Sequence, residues 1–277
     1  MEPDEYCIQK TNRSGSTFYY SVLFLDPARR RAAIALHALC LELKQVVERT
    51  VDENAARIKL AWWRSEIDAL RKQNAQHPVT RALMPLMRNA FRDSIRLDAL
   101  VDGAEMDLLQ SRYLDFRAVE QYCELTGGAT VQCAAALAGD SQKGMQAALR
   151  KSGIALRLIS IIRNVGDHAR NGRVYLPVNE LQQFHVPVAD VLNARYTDNF
   201  RALMEFQHNR ALRLLTEAVN EFSPPQRKLL RPLLIHAAIY RALLEEVRVD
   251  GFNVLHQRAS LTPLRKFWLA WKTWVMA

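Results

Sequence analysis

A 3.6-residue hydrophobic repeat runs through almost the whole chain and leaves little room for anything except helix. In PARRRAAIALHALCLELKQVVERT, residues 27–50, the positions Ile34, Leu36, Leu39, Leu43, Val46 and Val47 form one broad apolar stripe. Asp26 followed by Pro27 is a helix start: a capping carboxylate, then a proline whose missing N–H costs nothing in the first turn. The spacing predicts further helices over 54–72, from 78 through 87, and over 95–112, 116–138, 143–168, 189–222, 224–250 and 262–275. No run of period-two alternation argues for a strand. GRVYLP and the residues to Val188 read as a loop. Ten Gly and ten Pro are few for 277 residues, 49% of them hydrophobic. The expectation is one all-α domain over 1–277, a helical bundle with a substantial core.

Several function classes are weakened by what is missing. The start, MEPDEYCIQK, has no apolar h-region of a secretory signal. No apolar run approaches the roughly 18 residues of a membrane span. Cys7, Cys40, Cys123 and Cys133 are scattered without a CxxC pair, as in a reducing cytoplasmic compartment. The formal net charge of +9 invites an anionic partner. No zinc-finger spacing or RNA-recognition signature supports nucleic acid, and none is expected. The end of the chain, PLRKFWLAWKTWVMA, sets Trp268, Trp271 and Trp274 among Arg265, Lys266 and Lys272. Such a segment suits peripheral contact at the inner membrane, or a last helix packed on the bundle.

Two helical faces are polar where their neighbours are apolar. On one, Leu41, Lys44, Gln45 and Glu48 align by i, i+3, i+4 spacing; on the other, Arg157, Ser160, Asn164, Asp167 and His168 do. Spacing alone reads both as solvent faces of amphipathic helices. Buried polar groups are costly unless paired, so the other reading is that the faces meet a ligand or each other. Around them, Tyr19, Tyr20 and Phe24 either line a cavity or pack it. Arg163, Arg170 and Arg173 are bidentate donors suited to phosphate. Glu105 and Asp107 favour a hydrogen-bonded structural role. Trp62 and Trp63 point to different sides, and at least one belongs to the core. The Gly127–Gly128 pair reads as a close helix contact. His37, His77, His185, His208, His236 and His256 have no mutual metal spacing and read as structural or surface residues.

The segments GSTFYYSVLFLDPARRRAAIALHALC, LAWWRSEIDAL, HPVTRAL, VDGAEMDL, RYLDFRAVEQYCELTGG, GIALRLISIIRNVGDHARNGRVYLP and IYRALL resemble the squalene/phytoene synthase family, the head-to-head trans-prenyltransferases. The resemblance extends from Ser16 to about Gln257 and looks nearest to the bacterial presqualene diphosphate synthase branch. It implies a single-domain isoprenoid-synthase fold around a deep central cavity. It also implies two facing helices whose Asp-rich motifs hold Mg²⁺ and, through it, the diphosphates of two prenyl substrates. Ser16, Tyr175, Arg163 and Arg173 become candidates for diphosphate or anion binding.

The chain departs from the family where the metal would sit. The family's DDxxD, preceded by CRxV, is CLELKQVVE here: Lys44 and Gln45 replace two aspartates, Leu41 replaces the arginine, and Glu48 keeps a carboxylate. The family's QLxNxxRDxxED is RLISIIRNVGDH. Arg157 stands for Gln, Ser160 for Asn, Asn164 and His168 for aspartates, and Asp167 for Glu, with Arg163 retained. Mg²⁺ wants hard oxygen ligands. The expectation is therefore a former metal site. Lys44 and Arg157 would bind an isoprenoid diphosphate directly, or another lipid or a protein partner in an assembly role. The alternative is an active squalene-, presqualene diphosphate- or phytoene-type transferase using Mg²⁺.

Overall fold

Local sequence signals set the helix starts. Asp26 accepts from the Arg29 amide to open one helix, Asp115 from Ala118, and Thr197 from Phe200. The computed structural model describes residues 1–12, 15–88, 95–138 and 144–277. Among them the chain forms α1 (Pro3–Thr11), α2 (Thr17–Val22), α3 (Pro27–Arg49), α4 (Glu53–Arg71) and α5 (Pro78–Leu83). There follow α6 (Leu97–Leu109), α7 (Phe116–Cys123), α8 (Ala129–Leu137), α9 (Gln146–Arg163), α10 (Val165–Arg170), α11 (Val178–Gln183) and α12 (Val188–Leu192). The last four are α13 (Asp198–Asn220), α14 (Pro224–Leu229), α15 (Arg231–Val249) and α16 (Pro263–Met276). A 3₁₀ turn, Met84–Arg88, extends α5, and a π-helical turn, Glu124–Gly128, joins α7 to α8. No strand forms among the described residues; Arg112 and Val174 make an isolated bridge.

The all-α expectation holds, and the boundaries differ in instructive places. The helix expected over 143–168 breaks at Asn164, whose φ of −109° and ψ of 19° end α9 and start α10; residue 143 lies outside the described residues. The loop expected up to Val188 contains α11, started behind Pro177, and α12 starts behind Pro187. His185 and Ala194 take left-handed backbone (φ 53° and 54°) just after these helices, which is how so short a helix is stopped. Trp62 is 47% exposed and Trp63 is buried, as adjacent positions on α4 require.

Four hydrophobic clusters form among the described residues, two of them large. One gathers Leu36, Leu39, Leu60, Ile67, Leu83, Leu100 and Cys133 from α3, α4, α5, α6 and α8. The other gathers Tyr113, Tyr122, Ile159, Phe200, Leu215 and Leu244 around α7, α9, α13 and α15. Between them α3, the π turn, α8, α9 and α15, with α2 across one end, enclose the cavity that positions the site.

Candidate functional site

Glycine contacts bring the two halves close. A Cβ on Gly153 of α9 would overlap the Gly127 carbonyl and the Gly128 backbone, and a Cβ on Gly127 would overlap Gly153 and the stem of Arg157. The π turn bulges Gly127 toward α9, with Thr126 donating to the Tyr122 carbonyl. One turn after Gly153, Arg157 enters the cavity. This cavity is about 300 Å³, and its wall is mostly apolar: Phe18, Val22, Leu36, Ala135, Leu156 and Leu233. Its polar lining comes from Arg157, Ser160, His37, His236 and Tyr240, with Ser21 and Thr130.

Arg157 is held over the Tyr122 ring, 5.0 Å from the centroid, and donates to the Tyr122 hydroxyl. Tyr122 stacks on Tyr175 at 5.0 Å, and Tyr113 stacks on Tyr175 at 5.5 Å. The Tyr175 hydroxyl donates to Asp107, which also accepts from Arg173. Burial pushes the Tyr122 and Tyr175 phenols upward, so both stay neutral; Asp107, behind the tyrosines, is the carboxylate that acts on the Arg157 charge at the cavity wall. Its Nε is buried with no hydrogen-bond partner among the described residues.

Where α9 ends, Asn164 donates from its amide to the Ser160 carbonyl (2.7 Å) and hydroxyl (3.2 Å), and its Oδ1 is buried without a partner among the described residues. Gly166 then lets the backbone of 254–255 pass against α10: its N–H donates to the Val254 carbonyl at 3.2 Å, and a Cβ there would overlap Leu255. His168 packs edge-on to Tyr175, 4.6 Å away, and its Nδ1 is also buried with no partner among the described residues. Burial first, and then the charges of Arg157, Lys44, Arg173 and Arg258, press the imidazole down to about 3. Charge from both motif faces therefore converges on this point. Asp167 is turned to Arg170 in an exposed pair.

The α3 face is different. Lys44 is 59% exposed and bridges Glu48 at 3.3 Å. Gln45 accepts from Lys10 (2.6 Å), which also pairs with Glu42. Lys44 is not among the cavity-lining residues, contrary to the expectation that it meets a ligand there; Arg157 is. Seven residues before Lys44 on α3, His37 stacks on Phe18 at 4.0 Å and faces the cavity, as does His236 of α15.

Other candidates fall in place or out of it. Arg163 donates to the Ala259 carbonyl at 2.8 Å, Arg170 to the Leu255 carbonyl at 3.0 Å, and Arg173 is committed to Asp107. Ser16 caps α2 by accepting from the Tyr19 amide. Glu105 pairs with Arg64 and Asp107 with Arg173, both structural roles. Tyr19, Tyr20 and Phe24 do not line the cavity. Tyr19 is exposed, Tyr20 packs with Ile235 and Ala270, and Phe24 sits against Phe267 and Trp274. In a six-residue helix the inward positions are 18, 21 and 22, one step from the aromatics chosen by type. His37 and His236, read as structural or surface residues, are cavity residues. For His37 the signal was present: it continues the i, i+4, i+7 row of Leu41 and Lys44. Tyr122 and Gly153 had no such signal, because their roles depend on the contact between distant segments.

The donors present do not fit the magnesium cluster of the resembled family. Glu48 and Asp167 each already face a cation, and no group of three or more His, Cys, Asp and Glu is arranged around a metal among the described residues. What the arrangement offers is an apolar cavity with a guanidinium in its wall and imidazoles kept neutral.

The sequence profile described as squalene/phytoene synthase matches residues 11–265. A phytoene synthase of Arthrospira platensis is 27% identical across 95% of this chain and 89% of its own length. A 15-cis-phytoene synthase of Synechocystis is 28% identical across 98% and 85%. Among solved structures, a dehydrosqualene synthase in complex with ligand superposes with a TM-score of 0.82 over 99% of this chain and 96% of its own, at 21% identity. Squalene synthase HpnC of Alicyclobacillus acidocaldarius gives 0.78 over 91% and 95%, at 20% identity.

Proposed function

The chain belongs to the squalene/phytoene synthase family, and from that premise we propose that it binds an isoprenoid diphosphate by direct contact with cationic side chains, without metal-assisted ionisation. The observation behind this reading is Arg157. It carries a buried, unpartnered Nε at the wall of an apolar cavity, where the family pattern has a glutamine. A guanidinium offers phosphate a planar fork of donors. The prenyl chain would lie against Phe18, Leu36 and Leu156. A cavity of about 300 Å³ is at the small end for ligand sites, which suits one chain better than the two that head-to-head joining requires. Asn164 Oδ1 is an acceptor, so it would take a water or hydroxyl rather than phosphate. One guanidinium supplies part of the charge of several divalent ions, so the site holds a diphosphate more readily than it expels one. A protein of this kind acts by retaining its ligand or by joining a protein partner in an assembly.

The competing reading is an active transferase of isoprenoid biosynthesis, and the relatives named phytoene synthases favour it. Titration calorimetry with farnesyl diphosphate in EDTA, beside a diphosphate-release assay in Mg²⁺, separates the two. Binding in chelator that weakens with salt, and no release, supports retention. Sustained release with formation of a joined product supports the transferase, and silence in both assays rejects the binding site itself.

A further inference from the structure

The last helix turns its most apolar face away from the protein. Leu264, Phe267, Trp268, Trp271 and Val275 follow i, i+3, i+4, i+7, i+11 spacing and are all exposed, between 44% and 78%. Trp268 and Trp271 lie against each other at 5.2 Å. The buried side is narrow: Ala270 is fully covered, and Trp274 contacts Phe24 and the Arg231 guanidinium. A large aromatic stripe left in water on a helix of this kind needs a partner.

The charges around the stripe say which. α16 contains no acidic residue. On one flank, Arg265 and Lys272 border a groove of about 900 Å³ shared with α13 and α15, and Arg227 and Arg241 also line it. Lys228, Arg241 and Lys272 form no ion pair with a carboxylate among the described residues, whereas Arg227 donates to the Val219 and Phe222 carbonyls, Arg231 lies over the Trp274 ring and Lys266 donates to the Gly15 carbonyl. Two carboxylates at the groove are already engaged: Glu245, in its lining, with Arg248, and Glu246 with Arg265. An indole-rich stripe beside uncompensated cations, with an apolar-floored groove between α13, α15 and α16, is complementary to an anionic bilayer. Indoles settle at headgroup depth, and each lysine or arginine near the surface adds attraction. No helix among the described residues is long and apolar enough to cross a membrane, so α16 lies in the interface.

We propose that this end of the molecule docks on an anionic lipid bilayer, with the Leu264–Val275 stripe of α16 in the interface and Lys228, Arg241 and Lys272 on lipid headgroups. α16 packs on α2 and α15, which also supply Phe18, Ser21, Leu233 and His236 to the cavity. Docking therefore sets the cavity one helix layer from the bilayer, whatever ligand the cavity takes.

The test is sedimentation of the full chain with vesicles of phosphatidylcholine alone and of phosphatidylcholine and phosphatidylglycerol in equal parts. The expected result is binding to the mixed vesicles at least about tenfold tighter than to the neutral ones, reduced by salt. The double variant Trp268→Ser/Trp271→Ser should lose about tenfold or more at an unchanged melting temperature, because both rings are exposed. Brominated lipids should quench the tryptophan fluorescence of the unaltered protein, a readout that needs no variant. Equal binding by the variant, or no preference for the anionic vesicles, overturns the proposal. So does a doubling of mass in solution without vesicle binding, which would assign the stripe to a second copy of the chain.

Discussion

The α3 face and the α9–α10 face are the two polar faces that the sequence sets apart, yet they have ended in opposite physical states. On α3, Lys44 and Glu48 are both more than half exposed and satisfy each other. On α9–α10, Arg157 Nε, Asn164 Oδ1 and His168 Nδ1 are buried with no partner among the described residues. An exposed ion pair is nearly neutral in energy, whereas a buried unsatisfied group costs about 1–3 kcal/mol. The lesson is that one face can be explained by relaxation into solvent, while the other retains a cost that a ligand or water can relieve.

The largest test of this asymmetry is steric. Gly153→Val would push α9 off the Gly127–Gly128 backbone and displace Arg157. It should destabilise the fold by about 3 kcal/mol or more, since the obstruction is main chain. Glu48→Ala on the α3 face should stay within about 0.5 kcal/mol. Urea midpoints measure both, and similar losses would mean the two faces are equally built into the structure.

Acid probes the same contrast. His168 is held at about 3 in the folded protein against its ordinary 6.5. Below pH 6.5 the unfolded chain takes up the proton and the folded chain does not. Stability is therefore complete above that pH and drains as pH falls toward 3. The slope is at most about 1.4 kcal/mol per pH unit, or about 3 kcal/mol by pH 4. His37 and His236, each held near 4 chiefly by burial, add loss of the same sign. His168→Gln should narrow the gap between melting temperatures at pH 7 and pH 4. An unchanged gap would show that the imidazole is not buried neutral.

Much of this was legible in the chain, for physical reasons that can be named. The 3.6 period and the cap at Asp26 are local, so most helices could be read directly; the break at 193–197 inside the helix expected over 189–222, with Thr197 capping α13, was missed. The altered motif residues could be read as well, because they stand inside segments that still resemble the family. What could not be read was orientation. Arg157 reaches the cavity through the Gly127–Gly153 contact, which joins residues 26 apart, while the direction of Lys44 depends on how α3 packs on α1, α5, α6 and α8. Phe18 rather than Tyr19 faces inward because of how α2 lies on α15. Arg173 looked free for phosphate until Asp107, 66 residues earlier, was found holding it.

Arg157→Ala comes next in size. Removing the one guanidinium in the cavity wall should weaken farnesyl diphosphate binding in EDTA by about 1.5–3 kcal/mol, or roughly 10- to 150-fold. Arg157→Lys should fall between, keeping charge but losing the planar fork. If Ala and Lys bind equally, charge at 157 plays no part in recognition.

The smallest expected effect is at Lys44, and it sharpens the comparison most. The sequence made Lys44 an equal partner of Arg157; the structure leaves it on the surface, with Glu48 one turn later. An exposed i,i+4 pair is worth about 0.3–0.5 kcal/mol, and the order with lysine first is the weaker one. Lys44→Ala should therefore cost stability almost nothing and reduce affinity less than about threefold, through lost long-range attraction alone. That residual effect should vanish at high salt, because an exposed charge is screened over about 10 Å at 0.1 M. Glu48→Ala should act in the opposite direction at low salt, freeing the ammonium to raise the positive potential near His168. Calorimetry of the two variants at low and high salt reads both signs. A tenfold or larger loss at Lys44 that persists in salt would mean that the α3 face reaches the ligand after all, and that the two faces still work as a pair.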